Sequence, residues 1–328
     1  MRLAASFVCL VACTSTEQQA PLPTAIASGQ QNPSSIATTS TDVYWVDVPE
    51  FADATMTGRI MRAPIAGGAV DTFADAQPCP VAVATEPSAV YWIRCDGAVL
   101  TAPATGGTAR VMLAPSNVGN FHPIALATTT EYVYVLSQAT MGASGAIVRV
   151  WKEPGIAAEV TAINLSNPVA LAADSTNLYW IDVTDGALYR RTAAVGLGMP
   201  PTLVASPISG SALVVDANRI YYVDFGALGD KQVHSVPISG GDIVDYDTQG
   251  SSATAVAIDA NAVYWLAPGM EAVSAAPLAG GPTRTIARLV GSAANAIAVS
   301  DDAVFFADDP TSASGTPTTL ESAAKAAR

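Results

Sequence analysis

An all-β fold is what this sequence predicts, and more narrowly a seven-bladed β-propeller built of four-stranded blades. Three observations carry that reading. A strand rich in aromatic residues recurs seven times at intervals near 43 residues, and a Pro-x-x-Gly-Gly turn recurs within those intervals. A strand that the last interval lacks stands alone ahead of the first. Repeats of this period, each too small to bury its own apolar faces, imply one ring rather than two average domains in 328 residues.

The aromatic strands read Val43-Tyr44-Trp45-Val46-Asp47, Val90-Tyr91-Trp92-Ile93-Arg94, Val133-Tyr134-Val135-Leu136-Ser137, Leu178-Tyr179-Trp180-Ile181-Asp182, Ile220-Tyr221-Tyr222-Val223-Asp224, Val263-Tyr264-Trp265-Leu266-Ala267 and Val304-Phe305-Phe306-Ala307-Asp308. Successive first aromatics lie 47, 43, 45, 42, 43 and 41 residues apart, the spacing of a four-stranded propeller blade. Each is apolar at consecutive positions rather than alternately, so both of its faces should be covered by neighbouring blades.

Ahead of each aromatic strand runs a short Ala/Val segment such as Val81 to Ala84 or Ala255 to Ile258, too short for a helix. Its small side chains suit the innermost strand, where seven strands converge on a narrow axis. Turns such as Asp216-Ala217-Asn218 and Asp259-Ala260-Asn261 join the two strands. A Gly-led third strand follows, as at Gly58-Arg59-Ile60-Met61-Arg62, and then the Pro-x-x-Gly-Gly turn at Pro64, Pro103, Pro237 and Pro277. Glycine pairs supply positive φ for a tight turn into the outer fourth strand.

The seventh repeat is incomplete. Its first two strands are Ala296 to Val299 and Val304 to Ala307, with no Pro-x-x-Gly-Gly turn and fourth strand after Gly315. Thr24 to Ser28 resembles fourth strands such as Thr202 to Ser206, which predicts that the N-terminal strand completes the last blade and closes the ring. Closure removes the open sheet edges of a linear array. Thr318 to Ser322 offers a third strand for that blade, while Glu321 to Arg328 reads equally well as a helical tail.

Tyr-Trp-Val-Asp and Tyr-Trp-Ile-Asp, followed by Gly-x-Ile/Leu and a Gly-ended turn, resemble YWTD-type propellers and, more loosely, NHL repeats. The chain departs from the YWTD pattern in having seven copies where that family has six. The resemblance implies a binding platform, although lactonases and lyases share the architecture.

Residues 1–12 read as a signal peptide: Met1-Arg2, an apolar run Leu3 to Val11, and small residues at its end. Leu10-Val11-Ala12-Cys13 resembles the lipobox of a bacterial lipoprotein, which implies lipidation of Cys13; Thr14, not an acid, resembles the pattern of lipoproteins sent to the outer membrane. Residues 13–23 form a polar tether, 24–322 the propeller and 323–328 a tail. The expected partners are a membrane, reached through the anchor, and another envelope protein or a polar small molecule. Formal net charge is −13 with no Lys/Arg cluster, which excludes nucleic acid as the expected partner.

Cys79 and Cys95 remain outside the leader and its lipobox, an even number in a chain read as exported. They oppose each other if the intervening hairpin turns at Glu86-Pro87-Ser88, so a cross-strand disulfide is expected.

Candidate functional residues come from what varies between repeats. The positions twelve before each aromatic marker are Asn32, Cys79, His122, Asn167, Ser209, Ser252 and Ala293; those three after it are Asp47, Arg94, Ser137, Asp182, Asp224, Ala267 and Asp308. In a propeller both sets fall on one face, around the mouth of the axial channel. Asn32, Asp47, Arg94, His122, Asn167, Asp182, Asp224 and Asp308 could grip a polar ligand there. The competing reading is that each Asp bonds backbone amides of its own blade.

Only His122 and His234 offer an imidazole, and Gly-x-Ser-x-Gly, His-Glu-x-x-His and Cys-x-x-Cys signatures are missing. His122 is the catalytic candidate by position, or else a turn residue bonded to backbone. Trp151 breaks the repeat register and reads as packing on a third strand or as a contact residue. The functional expectation is a lipid-anchored extracytoplasmic scaffold without cofactor. The alternative is a lactonase or lyase using the channel mouth with a divalent cation.

Overall fold

In a computed structural model of the protein, the described residues are 21–49, 56–115, 121–138, 144–193, 199–225, 231–289, 294, 296–308 and 318–325. Residues 1–20, with the leader, Cys13 and most of the tether, lie outside them, as do Ala293 and residues 326–328.

The described strands form seven four-stranded antiparallel sheets, and the propeller is seven-bladed as expected. After β1 (Thr24–Gln30), the first blade is β2 (Pro33–Thr38), β3 (Asp42–Asp47), β4 (Thr57–Pro64) and β5 (Asp71–Pro78). The second is β6 (Pro80–Glu86), β7 (Ala89–Arg94), β8 (Val99–Pro103) and β9 (Arg110–Leu113). The third is β10 (His122–Thr128), β11 (Tyr132–Gln138), β12 (Gly145–Trp151) and β13 (Glu159–Leu165). The fourth is β14 (Pro168–Ala173), β15 (Asn177–Asp182), β16 (Ala187–Thr192) and β17 (Thr202–Ala205). The fifth is β18 (Gly210–Val215), β19 (Arg219–Phe225), β20 (Lys231–Pro237) and β21 (Val244–Tyr246). The sixth is β22 (Val256–Ile258), β23 (Ala262–Ala267), β24 (Ala272–Pro277) and β25 (Arg284–Arg288). The seventh is β26 (Ile297–Val299), β27 (Ala303–Asp308), β28 (Thr318–Ala324) and, from the other end of the chain, β1.

That last pairing closes the ring: Thr24 lies opposite Ser322, Ala25 opposite Glu321 and Gln30 opposite Thr318. Of the two readings of the C-terminal segment, the strand is the one adopted. It runs to Ala324, two residues past the expected end of the propeller, because Ala303 pairs with Ala324 and Lys325 N–H donates to Asp302 O. The Lys325 ammonium meets the Asp259 carboxylate at 2.6 Å and lies 5.1 Å from the centre of the Tyr264 ring, tying the seventh blade to the sixth.

The aromatic strands are sandwiched between blades. Tyr44, Trp45 and Val46 are each fully buried. Tyr44 and Val46 pack with Trp92 of the second blade, whereas Val43 and Trp45 pack with Phe305 of the seventh. Consecutive apolar residues therefore point into different interfaces, which is why the strand shows no polar alternation.

The first aromatic is usually Tyr because its hydroxyl has an assigned partner. Tyr179, Tyr221 and Tyr264 donate to Asp174, Asp216 and Asp259, five residues back in the turn from the inner strand. Each Asp also accepts two main-chain N–H groups of that turn, as Asp216 does from Asn218 and Arg219. Burial tends to push the Asp259 carboxyl up, but Lys325, the Asn261 and Ala262 amides and the Tyr264 hydroxyl hold it down at about 2.

The Pro-x-x-Gly-Gly motif is a turn closed from Gly N–H to Pro carbonyl, 3.0 Å at Gly67 and 2.9 Å at Gly280. Both glycines have positive φ, +85° and +150° at Gly67 and Gly68, where a side chain would strain the backbone. The Gly that leads the third strand is required by crowding instead. A Cβ on Gly58 would come within 2.8 Å of the Asp47 carbonyl and 2.9 Å of Pro80 of the next blade.

Candidate functional site

Antiparallel pairing sets the position of the rim residues. Pro33 pairs with Asp47, Pro168 with Asp182 and Gly210 with Asp224, so the end of each second strand adjoins the start of its own first strand. Asp47, Asp182 and Asp224 therefore occupy matching places in the first, fourth and fifth blades.

The carboxylates of Asp47, Asp182 and Asp224 are engaged within their own blades. Asp47 is fully buried; Oδ1 accepts from Gln31 N at 2.7 Å and Asn32 N at 3.3 Å, and Oδ2 meets the Arg59 guanidinium at 2.8 Å. Asp182, also fully buried, accepts from Ser166 N at 2.8 Å and from Asn167 N at 3.0 and 3.1 Å, and more weakly from Thr184 N and Asp185 N. Asp224 accepts from Ser209 N at 2.6 Å. Asp308 is 1% exposed at the same place in the seventh blade. Where the third blade has Ser137, its hydroxyl takes the same role, accepting from His122 N at 2.9 Å.

The second blade has Arg94 at this position and cannot make the contact. Arg94 instead pairs with Asp96 and turns the chain through Arg94 N to Ala98 O. There Cys79 and Cys95 form a disulfide across the same two strand ends, with a Cα–Cα distance of 5.5 Å and Cys95 N donating to Cys79 O at 2.9 Å. The hairpin turns at Pro87-Ser88, with Glu86 opposite Ala89, as the opposition of the cysteines requires. A covalent link thus stands where other blades use a side-chain hydrogen bond.

His122 is exposed, and only its main chain is held. Asn32 and Asn167 are half-buried; Asn167 Oδ1 accepts from Gln138 Nε2 at 3.1 Å, a link between the third and fourth blades that sequence reasoning missed. His234 lies away from the rim, with Nδ1 2.7 Å from Asp245. Trp151 packs: its ring meets Tyr132 edge-on at 4.5 Å, under the Arg149 guanidinium. Among the described residues no group of three or more His, Cys, Asp or Glu side chains could hold a metal ion.

No protein-family model and no curated protein sequence matches the chain. Solved structures do. A streptogramin B lyase superposes with a TM-score of 0.67 over 92% of this chain and 96% of its own, at 13% identity. YCF48 from Cyanidioschyzon merolae gives 0.64 over 92% and 98%, also at 13% identity. A nidogen/laminin complex, which holds a YWTD-type propeller, gives 0.51 over 65% and 80%, at 20% identity. All three are β-propellers. At these identities the likeness is one of fold, and it assigns no ligand.

The region sequence reasoning did not reach lies on the outer side of the fourth blade. Trp180, Asp185, Tyr189 and Arg191 border a cavity of about 450 Å³ with the end of β13 and residues 199–201. The available signal was a missing partner: Gln30 and Gln77 sit fifteen residues before Trp45 and Trp92, whereas Leu165 occupies that place before Trp180.

Proposed function

We propose that this protein is a lipid-anchored, extracytoplasmic binding module that presents the rim of its propeller to a polar ligand or an envelope partner. The observation that carries the reading is the use of the rim carboxylates. Asp47, Asp182 and Asp224 direct their oxygens at main-chain N–H groups of their own blades, so they rigidify a surface rather than act on a substrate. Rigid presentation of exposed side chains such as His122 suits recognition. The disulfide supports an oxidising compartment outside the cytoplasm.

The direction of β1 adds an orientation to the anchor. Gln30, its last residue, adjoins the rim through Gln31 and Asp47, whereas Pro21, Leu22 and Thr24 border a groove with Ser40, Thr41, Gly67 and Asp302, turns of the opposite face. A lipid on Cys13 would hold that opposite face toward the membrane and leave the rim free.

The test is capture of partners from envelope extract by the intact protein, compared with a His122→Ala/Asn32→Ala/Asn167→Ala variant. Specific capture lost in the variant supports the rim; capture unchanged by it removes the rim reading. Cys13→Ser should release the protein from membranes, and a variant that stays bound refutes the anchor. The alternative is catalysis at the channel mouth with a divalent cation; one structural neighbour is a lyase, a likeness of fold alone. Stoichiometric metal in purified protein, with activity abolished by chelator, would favour it.

A further inference from the structure

The seventh blade holds two buried acids together. Glu321 lies opposite Phe306 in the third strand of that blade. At the matching place the other blades carry Met61, Leu100, Val148, Tyr189, His234 and Ser274, none of them an acid. Asp308, two residues beyond Phe306 and 1% exposed, shares that face of the sheet, since side chains two apart in a strand point the same way. Phe306 and Ala323, also on that face, pack with Leu266 and Val273 of the sixth blade, so the face that carries both acids is an apolar interface.

Glu321 is 9% exposed, and its Oε2 has no donor to accept from. A buried oxygen without a donor is costly as a carboxylate, but as a carboxyl it can donate, and Asp308 is the acceptor it meets. Two carboxyl groups so placed hold one proton between them. In the first blade the aspartate matching Asp308 is Asp47, and it meets the Arg59 guanidinium instead. Of the strands packed on β28, β1 and β2 carry no titratable side chain, and β27 carries only Asp308. Strand β25 carries Arg284, which is exposed, and Arg288, which pairs with Glu271 at 3.3 Å. Burial first, and Asp308 second, therefore raise the Glu321 carboxyl to about 7.

Strand β1 is the neighbour that Glu321 can release. Ala25 lies directly opposite Glu321, four of the seven residues of β1 are exposed, and its register on β28 shifts twice. On the other side β27 is fully buried from Val304 to Phe306. The far end of β1 is held independently, by Trp45 Nε1 donating to Gln30 Oε1 at 3.0 Å.

We propose that the Asp308–Glu321 pair is a proton-operated latch on the closing strand. With one proton between them the ring is shut. When that proton passes to solvent the two carboxylates repel in an apolar setting, and Thr24 to Ala27 leave β28 while the other blades stay folded. The bared edge of β28 can then pair with another strand. The device is independent of what the rim binds and of the anchor.

Hydrogen exchange of the full chain, corrected for the intrinsic pH dependence of amide exchange, tests the latch. Between pH 5 and 8 the opening of residues 24–27 should rise about ten- to hundredfold, because the closed form holds a proton that the open form has lost. At pH 8 these amides should be less protected than those of the second to fifth blades and insensitive to low urea, as local opening requires. Glu321→Gln donates to Asp308 without titrating, so it should abolish the rise and keep residues 24–27 protected at pH 8. Asp308→Asn removes the neighbouring charge and should make the rise smaller. The proposal is overturned if residues 24–27 open no further between pH 5 and 8, or if Glu321→Gln leaves the rise unchanged. It is overturned as well if at pH 8 those residues are as protected as the other blades, since the acid would then act only on the stability of the whole ring.

Discussion

The Asp182 carboxylate holds the main-chain N–H of Asn167, fifteen residues earlier, with oxygens at 3.0 and 3.1 Å. The contact fastens the end of one strand to the start of its hairpin partner, and Asp47 and Asp224 repeat it in their own blades.

Replacing Asp182 by Ala should therefore cost about 2 to 3 kcal/mol, since charge-assisted bonds are lost and buried amides are left unpaired. Asp182→Asn keeps one acceptor oxygen and should lose less. Chemical denaturation midpoints measure both; an Ala variant as stable as the parent would show that the amides find other partners.

In the second blade the disulfide takes that place. Closing a separation of 16 residues between Cys79 and Cys95 should contribute about 3 kcal/mol. Reduction should raise intact mass by about 2 Da and lower the melting temperature. Introducing Arg94→Asp into the Cys79→Ser/Cys95→Ser variant should recover part of the loss by restoring the side-chain contact.

Strand β1 supplies the outer strand of a blade whose other three strands come from the C-terminal end. Deleting residues 14–31 should leave the β28 edge bare, lower the stability of the whole ring and promote association through that edge. Size-exclusion chromatography and thermal melting report both effects, and a deletion variant that melts like the parent would refute the closure.

Glu321 gives the protein a pH dependence. It is 9% exposed and faces Asp308; burial first, then the Asp308 charge and hydrogen bond, push its carboxyl from 4.5 up to about 7. Between those values the folded state binds more protons than the unfolded, so this group makes stability fall as pH rises from about 4.5 to about 7, then level off. Glu321→Gln should be more stable than the parent at pH 8 by on the order of 2 to 3 kcal/mol, with the difference vanishing near pH 4. Melting temperatures across that range test the sign; a difference that does not change with pH would refute it.

The repeats made the architecture legible. Seven aromatic strands and the Pro-x-x-Gly-Gly turns each encode a local geometry, and the missing fourth strand could be found by its likeness to Thr202 to Ala205. The cysteine pairing was legible for the same reason, because hairpin register follows from the position of its turn. Rim placement followed from strand order. The state of the rim side chains did not, since an Asp at a strand end reads the same whether it awaits a ligand or grips an amide.

The sequence by itself determined the number of blades, their strand order, the closing strand and the disulfide. These depend on short-range periodicity and on hairpins, which a linear pattern records. Only the tertiary structure decided that Asp47, Asp182 and Asp224 are spent on backbone, that Glu321 is buried against Asp308, and that Trp180 is among the residues lining a cavity. The carboxylate contacts join residues of a single blade, whereas the cavity beside Trp180 lies where the fourth blade meets the third. What each side chain does depends on the atoms that folding brings within its reach, and a linear pattern records its position but not those atoms.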